Sequence, residues 1–367
     1  MRLAERLSHF QSSLFSFDAI GFDLSDESFH FVKARSAFPE NPEIEYFGRG
    51  SIPAGLIQFG EIRNEAELSK ILSGVLLKNK MMGSHPFAVA SLPEEKAFLK
   101  LLKIPRTETE AELKNAIRFE AETNIPLSAD DMYFDYEDIT PAGILDHRDV
   151  VVIAYPRAIV DSYVRVFRAA GFQLLALELE SQGILRSLID AKGEKDAVLV
   201  VDIGRTRSGF VMFHDRSIVS TSTIPIGGRD FEKAIEDALA IEQHEAEKIK
   251  KEIGYSNDPR GQIVRNALKP LVTVILDEAK KRFDFFESHP RHSHAELAGK
   301  KIVLCGGDSL LERLSAELAD AVGVVVEYGN PLLRFQPAVK GSVSLSSRES
   351  LGYATALGLS LRTVSEI

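Results

Sequence analysis

The stretch "VLVVDIGRTRSGFVMF", residues 198–213, constrains this chain more than any other. An unbroken apolar run leads into Asp202, then Ile203, Gly204, a polar turn and a second, largely apolar run. Strands this apolar are covered on both faces. A carboxylate at the end of one must meet solvent, a donor or a ligand. An apolar β-hairpin whose turn opens toward a polar site accommodates both demands. The pattern recurs in "AIGFDLSDESFHFVKA", residues 19–34. There Phe29 and Phe31 alternate with Ser28 and His30, the period of a half-buried strand, until Val32 interrupts it. The two copies lie roughly half a chain apart, and 367 residues suffice for two or more domains. Two readings stay open, an internal duplication and two unrelated hairpins of similar make-up.

Between the copies the texture changes. A helix is expected over about 64–78, with Asn64 as its cap. Residues 85–139 carry strand, hairpin, helix and strand signals. Thr107 and Glu110 have capping-box spacing for a helix running to about residue 122, and Pro126 follows its end. A strand (149–154), a helix (157–169) and a strand (172–178) come next, so residues 86–155 read as a small α/β insertion. After the polar linker 191–197 the second half begins. "STIPIGGRDFEKAIEDALA" gives a strand, a Gly-Gly turn and a helix, and a charged helical region covers about 243–288. "KIVLCGGDSLLERLSAEL" runs from a strand through Gly306-Gly307 into a helix, and "ESLGYATALGLSLR" reads as a helix with small residues on one face.

Several function classes fall away. A net charge of −10 opposes nucleic-acid binding through bulk positive charge. One cysteine, Cys305, allows neither an intrachain disulfide nor a multi-cysteine zinc site. No apolar run reaches the roughly 18–20 residues that span a bilayer, and the start of the chain does not read as a signal peptide. It does place Leu3, Leu7, Phe10, Leu14 and Phe17 on one helical stripe, docked on its own domain or offered to a partner or to the membrane face, the last disfavoured because only Arg2 and Arg6 there are basic. His289, His292 and His294 cluster in "HPRHSH", but Pro290 breaks helical geometry and the spacing matches no metal-ligand pattern, so an exposed loop is expected. Neither a Walker A sequence nor a strand-following G-x-G-x-x-G occurs. There is no G-x-S-x-G elbow and no carboxylate pair suited to glycosidase work.

Three glycine turns that follow strands remain: residues 202–207, 227–228 and 306–307. Glycine lets backbone approach a ligand closely, so that N–H groups can cradle phosphate oxygens. Asp23 and Asp202 stand at strand ends beside polar turns, where a carboxylate can hold Mg²⁺ through its waters.

The order of these turns resembles the ATP-binding superfamily that includes actin, the heat-shock chaperone ATPases and FtsA. "VVDIGRTRSGFVMF" resembles its second phosphate loop, "GFDLSDESFHFVKA" its first, "LCGGDSLLERL" its adenosine motif and "ESLGYATALGLSLR" its closing helix. Within that superfamily the chain is most similar to the PilM family of type IV pilus assembly proteins. The likeness rests further on "SLPEEKAFLKLLKIP", "AIRFEAETNIPL" and "YPRAIVDSYVRVFRAAGFQLLALELESQGILRSL" and covers nearly all of residues 17–362.

The resemblance implies a two-lobed, actin-like (ribonuclease H-like) α/β fold with nucleotide in the cleft between the lobes. The first lobe would be residues 17–85 and 156–190, with the small α/β subdomain 86–155 inserted to bind a partner. The second would be 197–362, with a helical subdomain at 229–300. ATP with Mg²⁺ is the implied ligand. Asp23 and Asp202 would lie near the metal, with Ser25 in the first phosphate loop and Gly204, Arg205 and Thr206 around the phosphates. Gly227 and Gly228 would lie near the nucleotide. Glu247 and Lys250, one turn apart on a helix, would edge the ribose and adenine, and Gly306, Gly307 and Asp308 would flank the adenosine. Glu180 matches the superfamily's water-polarising acid. The alternatives are an exposed salt-bridged helix for Glu247 and Lys250 and a dipole-favoured helix start for Glu180.

One position departs from the pattern: Ser25 stands where the superfamily carries glycine, and Asp26 and Glu27 add two carboxylates beside it. Binding is thus expected more than hydrolysis, at most a slow ATPase. As implied by the family, the protein would be a cytoplasmic adaptor at the inner membrane. Its partner would be the cytoplasmic N-terminal peptide of a PilN-like membrane protein, bound in a groove beside the insertion, with membrane contact only through that partner. Self-association is a further interaction the resemblance admits. The alternatives are an FtsA-like division adaptor, against which the ending "LRTVSEI" weighs, and a small-molecule kinase of the same superfamily, whose substrate space the insertion would fill.

Overall fold

The computed structural model describes residues 19–35, 42–80, 85–107, 109–140, 146–190, 193–254, 261–288, 299–336 and 345–362. The amino-terminal stripe Leu3–Phe17 and the histidines 289, 292 and 294 lie outside the described residues. In chain order the strands are β1 (Ile20–Leu24), β2 (Ser28–Arg35), β3 (Glu43–Ser51), β4 (Ile57–Gln58), β5 (Glu61–Ile62), β6 (Phe87–Leu92), β7 (Phe98–Pro105) and β8 (Met132–Asp138). They continue as β9 (His147–Pro156), β10 (Gln173–Leu179), β11 (Ala197–Ile203), β12 (Ser208–His214), β13 (Ser217–Ile224), β14 (Lys300–Cys305) and β15 (Val325–Tyr328).

Two five-stranded sheets carry one topology. The first has the order β3-β2-β1-β6-β10 and the second β13-β12-β11-β14-β15. In each, the first three strands form an antiparallel meander, and the next two run parallel to the first. The two hairpins match in detail. Asp23 pairs with His30, and Asp202 with Gly209. In both turns the residue two after the aspartate donates its N–H three residues on: Ser25 to Ser28 O (2.9 Å) and Gly204 to Arg207 O (3.0 Å). The duplication read from the two hairpins is thus a property of whole sheets.

The described residues form two compact units: one drawn from Met1–Lys96, Arg157–Ile189 and Asn330–Ile367, the other from Ala97–Pro156 and Asp190–Gly329. This corrects three boundaries. Residues 87–92, expected in the insertion, form β6, the parallel neighbour of both β1 and β10. Its run Ala88-Val89-Ala90 is buried because it sits inside a sheet rather than at its edge. The insertion itself, residues 97–156, groups with the second unit rather than the first, its strand β7 touching β13. The closing helix, Ala354–Ser360, belongs with the first unit, because it packs on β1.

That packing is backbone on backbone. A side chain on Gly21 of β1 would overlap Ala356 O, and one on Gly358 would overlap Gly183 O in the helix Glu180–Leu188. Beside this crossing, Glu178 accepts from Arg186 through both carboxylate oxygens (2.8 and 3.0 Å) and also from Arg362, while Arg186 donates to Gly358 O (3.1 Å). A buried carboxylate on β10 thereby ties both helices to the sheet.

The insertion has its own core. The sheet β7-β9-β8 carries the helix Glu110–Asn124, whose Leu113, Ile117 and Ala121 pack among Leu102, Ile104, Val150, Val152 and Met132. That stripe has the i, i+4, i+8 spacing of one helical face. Its capping box is Thr109 with Glu112, not Thr107 with Glu110. The alternating "TETEAE" offers both pairs at the same spacing, and Glu110 is occupied by the Tyr136 hydroxyl (2.5 Å).

The glycine crossing yields a paired prediction. Gly358→Ala lowers stability by about 1–3 kcal/mol through overpacking. Gly74→Ala, inside the helix Glu65–Lys78 where an added methyl meets nothing within 4 Å, raises it by about 0.5–1 kcal/mol. Urea unfolding of both variants checks this, and equal effects of one sign would contradict the packing.

Candidate functional site

In the second unit the three glycine turns converge. The helix Gly228–Leu239 starts against the turn after β11: Gly228 N–H donates to Gly204 O (2.9 Å) and Arg229 N–H to Arg205 O (2.8 Å). A side chain on Gly227 would lie 2.6 Å from the Arg205 carbonyl. Gly306 lies in the left-handed region (φ 92°), and a side chain there would overlap Ile203 O and the Asp202 carboxylate. Asp308 N–H closes the third contact on Ile203 O (3.0 Å). Asp202, Gly204, Gly227, Gly228, Gly306 and Asp308 therefore meet at one point, and Arg205 and Thr206 form the tip of the adjoining turn. Beside them Gly307 opens outward, with nothing within 4 Å of where its side chain would be.

Under this junction lies a charge network that the sequence did not expose. Glu232, 1 % exposed, accepts from Lys250 (2.7 Å) and from both terminal nitrogens of Arg205 (3.2 and 3.3 Å). Lys250, 6 % exposed, also donates to Asp308 (2.5 Å) and to Gly228 O (3.3 Å), which occupies all three of its N–H donors. Burial alone would raise the Glu232 carboxyl, but Lys250 and Arg205 outweigh it and hold it below the ordinary carboxylate range. One signal was available: Phe231 and Ile235 mark the buried face of the helix, and Glu232 shares it.

Glu247 does not join Lys250. It is half-exposed and bonds Lys251 one turn on (2.5 Å), which lowers its carboxyl. The pair expected on one face is split because Lys250 turns inward to Glu232.

In the first unit, Asp23, Asp26 and Glu180 fall near the buried ring of Tyr163. Burial raises the Tyr163 phenol, and the carboxylates of Glu180, Asp26 and Asp23 raise it further, while the phenol donates to Gly60 O (3.1 Å). Asp23 accepts from Ser91 Oγ (3.3 Å) and faces His30 Nδ1 at 3.8 Å. The Ser25 hydroxyl bonds Ser28 O (3.0 Å) within its own turn. Asp26 points into the β4–β5 turn, where it accepts from Phe59 N–H and Gly60 N–H (both 3.1 Å). One of the two extra carboxylates is thus a turn cap. Glu180 opens its helix, whose next residue, Ser181, donates its N–H (3.2 Å) and hydroxyl (3.1 Å) to buried Glu94.

At the second-unit junction Gly227, Gly228 and Gly306 are closed by Arg205, Asp308 and Ile203, and open backbone is left at Gly307, where a phosphate-bearing ligand would have room to approach. For Mg²⁺ the donors are single carboxylates. Among the described residues no group of three or more His, Cys, Asp or Glu side chains is placed to hold an ion. An ion beside Asp23 or Asp202 would rely on its waters and on ligand phosphate, as Mg²⁺ commonly does.

The family model for the type IV pilus assembly protein PilM matches residues 21–364. A solved PilM-PilN type IV pilus biogenesis complex is similar at a TM-score of 0.79 and 23 % identity, over 94 % of this chain and 98 % of that one. MreB5 of Spiroplasma citri bound to AMPPNP is similar in fold at a TM-score of 0.55 and 13 % identity, over 93 % of this chain and 94 % of that one. The cell division protein FtsA of Bacillus subtilis (strain 168) is 25 % identical over 198 residues, 53 % of this chain and 41 % of FtsA, well under two thirds of that protein's length.

The depressed Glu232 carboxyl makes its contribution pH-dependent. Because the unfolded chain binds that proton more readily, the stabilisation is present above the ordinary carboxylate pKa and is lost as pH falls through the lowered value. Glu232→Ala costs about 3–5 kcal/mol, as expected for a broken buried pair. Glu232→Gln loses less at neutral pH and has a shallower acid limb. Urea midpoints followed from neutral to acid pH check this, and parallel limbs for wild type and Glu232→Gln would contradict it.

Proposed function

The chain belongs to the PilM family of type IV pilus assembly proteins, and we propose that it acts there as a cytoplasmic adaptor at the inner membrane. The observation that carries this reading is the match of the family model along almost the whole chain, insertion included. The proposed partner is the short cytoplasmic N-terminus of a PilN-like membrane protein. The reading is supported by the likeness to a PilM-PilN complex and by an insertion with its own sheet and core, which can present a rigid surface to an extended peptide. Among the described residues no helix is long and apolar enough to cross a membrane, so membrane contact is assigned to the partner.

Nucleotide is the proposed second ligand, with its phosphates around Gly204–Thr206, with Gly227 and Gly228 near the nucleotide, and with Gly306, Gly307 and Asp308 flanking the adenosine. The MreB5 likeness, bound to AMPPNP, and the glycine-lined junction support this. Asp202 would face the hydrated Mg²⁺ that accompanies the phosphates, and Asp23 holds the corresponding hairpin position in the first unit. Glu180 is the candidate to orient a water, and its helix start is held by Glu94. Ser25 keeps a side chain where the superfamily carries glycine, and on that ground hydrolysis is proposed to be at most slow.

The purified chain is expected to bind the cytoplasmic N-terminal peptide of the PilN-like protein from the same organism saturably, and not a scrambled peptide, in a fluorescence-anisotropy titration. Equal responses to both peptides would contradict the adaptor reading.

A further inference from the structure

We propose that Asp308 is a built-in competitor for the phosphate group. Paired with Lys250, it is an ionic latch over the glycine junction that a nucleotide's phosphate must displace. This rests on the reading that the junction binds nucleotide.

Gly227 and Gly306 make room for backbone: side chains on them would meet Arg205 and Ile203. Gly228 is different. The three atoms nearest to where its side chain would be all belong to the Asp308 carboxylate. The space this glycine leaves is filled by an anion of the protein itself.

The network can release that anion without leaving a cation stranded. When Asp308 leaves, Lys250 keeps Glu232 at 2.7 Å and Gly228 O at 3.3 Å. Asp308 is also the outer member of the pair, 15 % exposed against 6 % for Lys250. It follows Gly307, where an added side chain would meet nothing within 4 Å, so open space adjoins the pair.

Charge sets the kind of ligand. Closed, the network holds two cations, Arg205 and Lys250, against two anions, Glu232 and Asp308, and is neutral. Asp202 adds a third carboxylate at the same junction, so opening takes the site from one net negative charge to neutral, a change that favours a phosphate oxygen more than a neutral nucleoside. If the latch is closed nine-tenths of the time or more, it weakens apparent phosphate affinity by about tenfold or more, since only the open fraction binds.

The test compares wild type, Asp308→Asn and Asp308→Ala as full chains, titrated by calorimetry with Mg-ATP and with adenosine. Both substitutions are expected to tighten Mg-ATP binding by about tenfold or more, a gain larger than any accompanying change in adenosine affinity. A melting temperature that falls or holds in the same variants separates this from general stabilisation. Tighter Mg-ATP binding in either folded variant supports the latch, including the case where wild type shows none. Unchanged or weaker Mg-ATP binding in both variants overturns the latch while the nucleotide reading stands on wild-type binding. No heat from any of the three at millimolar Mg-ATP overturns both.

Discussion

The second unit is organised around the contact of three glycine turns. Gly227 and Gly306 each give up a side chain, and Gly204 O accepts the Gly228 amide, so that the end of β11, the start of the helix Gly228–Leu239 and the end of β14 touch through their backbones. Everything polar nearby follows from that closeness. Asp202 is pressed against Gly306, the amides of Gly228 and Arg229 are spent on loop carbonyls, and Arg205 and Lys250 are drawn under the junction to a buried Glu232. An unpaired buried carboxylate would cost several kcal/mol, so the two cations and Glu232 are mutually required.

The first unit uses the same sheet topology for a different local solution. Its hairpin turn closes with the same backbone bond, so Ser25 occupies the position of Gly204 without a left-handed backbone. The polar groups around it are directed inward. Asp26 holds the β4–β5 turn and with it Phe59, a left-handed (φ 49°) residue that is 71 % exposed. Glu94 holds the helix that begins with Glu180. Gly21, Gly183 and Gly358 bring the closing helix onto β1 and the Glu180 helix, and Glu178 with Arg186 and Arg362 secures the crossing. The two halves therefore share a frame while their loops have diverged in charge.

Much of this was legible in residue order. Apolar runs ending in Asp23 and Asp202 marked the hairpins, and Gly-Gly after a strand marked the two further turns. Asn64 marked a helix start that the structure reproduces, its side chain accepting from Glu67 N–H. What stayed hidden depends on long-range pairing. Periodicity cannot tell that residues 87–92 pair between β1 and β10, because a short apolar run reads alike in an insertion and in a sheet centre. It cannot tell that the closing helix returns to the first sheet, which Gly21 permits only through a contact more than 300 residues away in sequence. Nor does helical spacing choose between Glu247 and Glu232 as the partner of Lys250. Burial on the Phe231–Ile235 face decided that.

The central claim is that the converging glycine turns of the second unit form a phosphate site in a PilM-family adaptor. Hydrogen–deuterium exchange of the full chain with and without saturating Mg-ATP tests it most directly. The account predicts slowed amide exchange at residues 204–207, 227–229 and 306–308. Unchanged exchange at all three turns, in a protein that demonstrably binds Mg-ATP, would contradict it.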